Sequence, residues 1–318
     1  MLKRRWQGWM IALARSPRVT RWMQGNRAAA ALARRFVGGG DVAAATAVAR
    51  ELERAGFKTS LYYLGEYVED PALVAENGRQ KIAAAEALAA ARMQVHVSCD
   101  ATQLGYAIDD AAGATLALRI GERLRALAEA GAQQPVLMLN MEDAAYVDRI
   151  LVLRRHLLAA GVPVAQTLQA YLKRTAADLV PIIDEGGMVR LVKGAFADAG
   201  AHAFQGAAAI DANYLALAAR MLAPEAKARG FRPVFGTHDH RLIPQIRDLA
   251  RVNGWKPGEY GFEMLYGVRP LLQQALRDAG EEVRLYLPFG RAWWPYAVRR
   301  VGESPRNFLL LARTVLGG

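Results

Sequence analysis

From residue 58 onward, eight short β-rich runs alternate with longer helical stretches rich in alanine and leucine. The spacing predicts strands over residues 59–67, 93–98, 135–141, 163–168, 188–193, 232–237, 260–265 and 283–287. Helical patterns fill the intervals, for example over 113–130 and 203–230. Parallel neighbours need a crossover of a dozen or more residues, so this alternation argues for an α/β chain with a parallel sheet. Eight repeats favour closure into a TIM-like (βα)8 barrel, a fold of about 250 residues. The alternative is an open doubly wound sheet, but no G-x-G-x-x-G follows the first strand. Gly38-Gly39-Gly40 instead reads as a turn before a helix capped by Asp41. The expected organisation is a basic helical extension with lead-in helices over 1–57, then the barrel with its C-terminal helix over 58–318.

The 318 residues are 53% hydrophobic, enough for a sizeable buried core. The lone cysteine, Cys99, excludes an intrachain disulfide and a cysteine zinc site, and fits a reducing compartment. The five histidines show no ligand spacing, so no metal is expected. No apolar run reaches the ~18–20 residues of a membrane span. The short apolar stretch after Lys3-Arg4-Arg5 is broken by Arg15, which argues against a secretory signal. The expected location is cytoplasmic, with room for a peripheral position on the inner face of a membrane.

The net charge of +11 is uneven. Nine Lys or Arg lie between Lys3 and Arg35, and no acid precedes Asp41. Trp6, Trp9 and Trp22 sit among those arginines. Such an arm over residues 1–35 suits an anionic membrane surface. It equally suits a solvated helix packed on the barrel through its tryptophans. An arginine-rich, acid-poor transit peptide is a third reading. No nucleic-acid motif accompanies the charge, so a nucleic-acid partner is not expected.

Barrel chemistry sits at the C-terminal ends of the strands. The polar residues expected there are Glu66, Asp100, Thr102, Asn140 and Glu142 in the first three repeats. Gln169, Arg190, Lys193, Thr237, His238, Glu263 and Tyr286 follow in the other five. Some would only close the rim with hydrogen bonds.

Read in order, these strand ends resemble the proline dehydrogenase family. The resemblance is carried by Phe36-Val37-Gly38-Gly39-Gly40, Tyr63-Leu64-Gly65-Glu66 and Thr102-Gln103-Leu104-Gly105. It continues through Leu168-Gln169-Ala170-Tyr171-Leu172-Lys173-Arg174, Val189-Arg190-Leu191-Val192-Lys193-Gly194-Ala195, Gly236-Thr237-His238-Asp239 and Met264-Leu265-Tyr266-Gly267. The last segments are Tyr286-Leu287-Pro288-Phe289-Gly290, Tyr296-Ala297-Val298-Arg299-Arg300 and Glu303. The resemblance implies a distorted (βα)8 barrel holding FAD noncovalently. It implies oxidation of L-proline to 1-pyrroline-5-carboxylate, with electrons passed to a membrane quinone or to oxygen.

The same resemblance implies residue roles. Arg299 and Arg300 would grip the substrate carboxylate, since two adjacent guanidinium groups offer several donors in fixed forks. Glu66 would ion-pair with Arg299, and Glu303 lies one turn beyond it. Tyr286, Tyr296, Leu265 and Phe196 would wall the substrate ring. Arg190 would lie beside the flavin N5 and pyrimidine edge, and Gln169 would touch the flavin. Lys193, Gly194, Thr237 and His238 match the region around the pyrophosphate and adenosine. His238 as a general base is the competing idea for that residue.

Three positions depart from the family pattern. Asp100 stands where a lysine is usual, and Asn140 where an aspartate is usual; in typical members the two form an ion pair beside the substrate. Two carboxylates set together would be costly, so Asp100 and Asn140 read as a coupled replacement. Gly261-Phe262-Glu263 replaces a Glu-Phe-Gln pattern, which puts Glu263 among the cofactor-side residues. The enzyme reading therefore keeps two alternatives. One is oxidation of a related cyclic amino acid such as a hydroxyproline or pipecolate. The other is a non-catalytic, membrane-associated relative that binds a ligand.

Overall fold

The computed structural model describes residues 35–65, 68–194, 202–294 and 296. Its eight strands are β1 (Lys58–Tyr63), β2 (Gln94–Cys99), β3 (Gln133–Leu139), β4 (Val164–Gln169), β5 (Met188–Val192), β6 (Arg232–Gly236), β7 (Gly261–Leu265) and β8 (Val283–Phe289). They pair in parallel in chain order, and β1 also pairs with β8 over Lys58↔Arg284 to Tyr63↔Phe289. That second pairing closes the sheet into a barrel and rules out the open doubly wound alternative.

The helices described are α1 (Val42–Arg54), α2 (Pro71–Ala90), α3 (Asp110–Glu129), α4 (Val147–Ala159), α5 (Thr175–Asp184), α6 (Ala207–Met221), α7 (Pro224–Ala228), α8 (Leu242–Val252) and α9 (Pro270–Asp278). Three of them start on an aspartate cap: Asp41, Asp70 and Asp109 accept backbone N–H groups from Ala44, Ala72 and Ala111. Each cap answers a donor that the first helical turn leaves unpaired.

The two faces of each strand divide the labour. Leu61, Val97, Leu137, Leu168, Val189, Phe235, Phe262 and Leu285 are buried in one continuous apolar core with the helices. The alternate positions meet one another inside the barrel. Ser60 and Ser98 share a hydrogen bond of 3.0 Å, and His96 Nδ1 lies 2.9 Å from Ser60 Oγ. Burial holds the His96 imidazolium well below its usual pKa, helped by Arg284 and Arg190, so this ring is neutral. Period-two alternation thus sends apolar side chains outward to the helices and polar ones inward toward the barrel mouth.

Some expected boundaries shift. The first strand ends at Tyr63 rather than running to 67, with Leu64 N–H still reaching Phe289 O. The third strand ends at Leu139, so Asn140 and Glu142 lie beyond it and not on it. The helical stretch expected over 203–230 is broken into α6 and α7, because Ala223 before Pro224 is held in the extended region (φ −64°, ψ 147°).

Candidate active site

At the C-terminal mouth of the barrel lies a cavity of about 880 Å³. Every strand contributes at or just past its end, including Tyr62, Asp100, Asn140, Gln169, Arg190, Gly236, Glu263 and Tyr286. Of the fourteen residues expected from sequence at the site that fall among the described residues, thirteen line it; Thr102 does not. Besides six already named, the thirteen are Glu142, Lys193, Gly194, Thr237, His238, Leu265 and Tyr296. Arg299, Arg300, Glu303, Glu66 and Phe196, like the basic arm up to residue 34, lie outside the described residues.

The inner wall is a connected network. Arg190 sits at its centre. Its Nη1 donates to Glu263 Oε1 (2.5 Å), and Nε and Nη2 both reach Thr167 Oγ1 (3.2 and 2.9 Å). Nη2 also donates to Asn140 Oδ1. The guanidinium lies 5.3 Å from the Tyr286 ring centroid. Arg190 and Glu263 are 7% and 2% exposed, so their ion pair is desolvated and its geometry is fixed by four bonds. Glu263 Oε2 is buried and has no protein partner among the described residues.

Asp100 and Asn140 do meet. Asn140 Nδ2 donates to Asp100 Oδ1 at 2.5 Å and to Tyr286 OH at 3.2 Å. The other carboxylate oxygen accepts from Tyr62 OH, also at 2.5 Å. An amide can do this because it donates to the carboxylate with one end and accepts from Arg190 with the other. Burial, with Asp100 adding to it, keeps the Tyr286 phenol well above its usual pKa and therefore protonated. Glu142, also on the cavity wall, accepts from Thr102 Oγ1 (2.6 Å) and Thr102 N–H (2.9 Å) with its two oxygens. Gln169 Nε2 donates to Glu142 O at 2.8 Å.

The outer wall is charged. Lys193 Nζ bridges Asp211 (2.5 Å) and Asp239 (2.8 Å), and Arg241 reaches both acids. Hydrogen bonds from Arg241 and Lys193 hold the Asp239 carboxyl well below its usual range. Arg269 donates to His238 O and lies 3.1 Å from His240 Nδ1, and makes no ion pair among the described residues. His238 Nε2 accepts the Leu265 N–H at 2.8 Å. That bond commits the ring's lone pair to the backbone, which argues against a general base there. Gly194 has φ +98°, and a Cβ on it would stand 2.1 Å from the Tyr171 ring, so backbone alone faces the cavity at this point.

Sequence reasoning missed Tyr62, Thr167, Arg241 and Arg269. Tyr62 and Thr167 were legible from strand parity, being two residues from Ser60 and Gln169 on inward-facing strands. Arg241 lies in the polar run 237–241 after β6, and Arg269 just past the Tyr266-Gly267 turn.

Comparison with known proteins bears on this site. The family model described as "Proline dehydrogenase" matches residues 45–308. A proline dehydrogenase of Deinococcus radiodurans is 34% identical over 289 residues, covering 90% of this chain and 91% of that protein. Proline dehydrogenase 2 of Bacillus subtilis is 29% identical over 283 residues, covering 89% of each. The barrel also superposes on proline utilization A (PutA) from Bdellovibrio bacteriovorus, a structure inactivated by N-propargylglycine. The TM-score is 0.75 at 22% identity, over 90% of this chain and 33% of that one.

Proposed function

The chain belongs to the proline dehydrogenase family, and from that premise we propose that it oxidises L-proline to 1-pyrroline-5-carboxylate, in proline catabolism, with noncovalent FAD as hydride acceptor. The observation that carries this reading is the Arg190 cluster at the barrel mouth, where a buried cation and a row of donors face one cavity. Its volume, about 880 Å³, is near the top of the range for cofactor sites, roughly 300–1,000 Å³.

Three features fit a flavin dinucleotide. Glu263 Oε2 is a buried acceptor that lacks a donor among the described residues. Gly194 leaves bare backbone on the wall. Arg269, which makes no ion pair among the described residues, places positive charge on the outer side, suited to phosphate oxygens. Arg190, Gln169 and Glu263 would hold the flavin end, and Lys193, Gly194, Thr237 and His238 the pyrophosphate and adenosine. FAD, when bound, supplies the two-electron sink for the hydride leaving the ring carbon beside the substrate nitrogen.

The chain's own residues do the rest. Arg299 and Arg300 bind the substrate carboxylate with fixed forks, and Glu66 pairs with Arg299. Tyr286, Tyr296, Leu265 and Phe196 wall the ring and orient its C–H bond. Asp100 accepts a hydrogen bond from the substrate amine, the group that must release its proton as the C=N bond forms. The Arg190 guanidinium offsets negative charge that develops on the acceptor side. The basic arm brings this chemistry to a membrane surface, where a quinone takes the electrons.

The test is direct. Purified protein should be yellow, and L-proline should bleach it anaerobically. A colourless protein that fails to take up added FAD overturns the reading. Arg299→Lys or Arg300→Lys should raise KM for proline by about thirtyfold or more with FAD content unchanged, because a point charge replaces a bidentate fork. Deleting residues 1–35 should weaken binding to anionic vesicles; unchanged flotation removes the membrane role. Because Asp100 is an acceptor on the cavity wall, it also favours a ring bearing an extra donor, such as a hydroxyproline. The same bleaching assay across cyclic amino acids decides between them.

A further inference from the structure

We propose that Phe36 and Val37 set the depth of the wall against which the substrate ring lies, and so favour a five-membered ring over a larger one. The inference rests on the proposed function. Both residues belong to the short segment that leads into α1, before the first strand of the barrel. The backbone of β8 draws that segment to the mouth. Successive carbonyls of a strand point to opposite neighbours. Tyr286 O accepts Tyr266 N–H on the β7 side, and Phe289 O accepts Leu64 N–H on the β1 side. Pro288 O therefore faces the β7 side, where the ladder with β7 has already ended at Leu265↔Tyr286. A buried carbonyl left there without a donor would be costly. Gly38 N–H meets it at 2.8 Å, and Gly290 N–H donates to Gly39 O at 2.9 Å. A Cβ on Gly38 would stand 2.9 Å from the Leu287 side chain, so the segment lies close on β8. At its other end the Arg35 carbonyl passes so near Gly267 that a Cβ there would stand 1.7 Å from it.

Fastened at both ends, the segment lays Phe36 and Val37 on the back of the cavity wall. Both are buried, in a small apolar cluster with Tyr62, Leu64 and Tyr296 that is separate from the core between strands and helices. Val268, Tyr286 and Trp293 pack against that cluster. Tyr62, Val268, Tyr286 and Tyr296 line the cavity, whereas Phe36 and Val37 do not. The two residues therefore act through their neighbours and are positioning residues.

The wall needs that support. The Tyr286 hydroxyl is held by Asn140 Nδ2 at 3.2 Å, which fixes one point of the ring. Its plane is set by packing, with the Tyr62 ring 5.1 Å away at 31°. Tyr62 and Tyr296 in turn rest on Phe36 and Val37. Truncating either residue leaves a void behind the wall, into which the tyrosines relax only in part. A wall that recedes holds a small ring less firmly and makes room for one more methylene. A single methylene in an apolar pocket is worth about 10–200-fold in discrimination, so a small retreat is measurable.

The experiment follows the rate of anaerobic flavin bleaching against concentration of L-proline and of L-pipecolate, whose ring is one methylene larger, in the FAD-loaded full chain. Phe36→Ala should raise the half-saturating proline concentration roughly tenfold, with the limiting rate within about twofold and FAD content unchanged. The efficiency with pipecolate relative to proline should rise by about fivefold or more. Phe36→Leu, which keeps most of the volume, should return both values most of the way. An unchanged ratio, an equal loss on both substrates, a loss in limiting rate alone or a loss of FAD overturns the proposal. Should Phe36→Ala not fold, Phe36→Leu and Val37→Ala decide: each should shift the ratio toward pipecolate by about twofold, and no shift overturns the proposal. A wild-type chain whose flavin no cyclic amino acid bleaches overturns the reading of function, and this inference with it.

Discussion

Replacing Arg190 with methionine is expected to lower kcat for proline by at least about a hundredfold and to destabilise the fold by about 3–5 kcal/mol. The two effects have different origins. The stability loss comes from Glu263, whose carboxylate is 2% exposed and would be left buried without its cation. The rate loss comes from the missing positive charge on the cavity wall. A second substitution separates them. Arg190→Met with Glu263→Met removes both charges and should recover most of the unfolding free energy, because an apolar pair replaces a desolvated ion pair at little cost. It should recover none of the rate. Urea unfolding and single-turnover flavin reduction measure the two halves. A double variant that regains activity would show that Arg190 acts only as a structural partner of Glu263. Arg190→Lys should fall between, since one ammonium cannot reach Glu263, Thr167 and Asn140 together as the guanidinium does.

Gly194→Ala should give a protein that purifies colourless and unfolds with about 2–6 kcal/mol less stability. The backbone there has φ +98°, which costs an L residue about 1–3 kcal/mol. The new methyl would stand 2.1 Å from Tyr171 Cδ1 and 2.6 Å from Cε1, so the ring or the loop must shift. Overpacking of that kind adds about 1–3 kcal/mol. Gly194 lies two residues past the end of β5 and lines the cavity beside Lys193, so the shift is delivered to the wall where the dinucleotide is proposed to lie. Truncating Tyr171 to alanine in the same chain removes the clash but not the backbone strain. It should therefore restore part of the FAD content. Absorbance at the flavin band per mole of protein reads the outcome, and full occupancy in Gly194→Ala would remove this segment from the cofactor site.

Much of this site could be read along the chain. The eightfold alternation placed the strands to within a few residues, and strand ends are where a barrel keeps its polar side chains. That Asp100 and Asn140 would meet came only from the family resemblance, in whose typical members these two positions form an ion pair; the charge argument added that an amide opposite the new acid avoids setting two carboxylates together. Other parts were not legible. Lys81 sits in an alanine-rich helix where a lysine ordinarily faces water, and its complete burial depends on how α2 lies against β1 and β2. Glu142 reads as one more acid at the barrel mouth, yet its two oxygens accept from Thr102, forty residues earlier. Tyr63, not Tyr62, belongs to the segment that carries the family resemblance, although Tyr62 is the one whose hydroxyl reaches Asp100.

The sequence by itself determined the order of elements, the inward and outward faces of each strand, and the set of polar residues delivered to one end of the barrel. These depend on periodicity and turn chemistry, which act over a few residues. Only the tertiary structure decided which of those polar groups meet. Asp100 reaches Asn140 forty positions away, Arg190 reaches Glu263 seventy-three positions away, and Asn140 reaches Tyr286 across 146. Those partnerships follow from the register of a closed parallel sheet, in which each strand is fixed by both neighbours and no local pattern records the stagger.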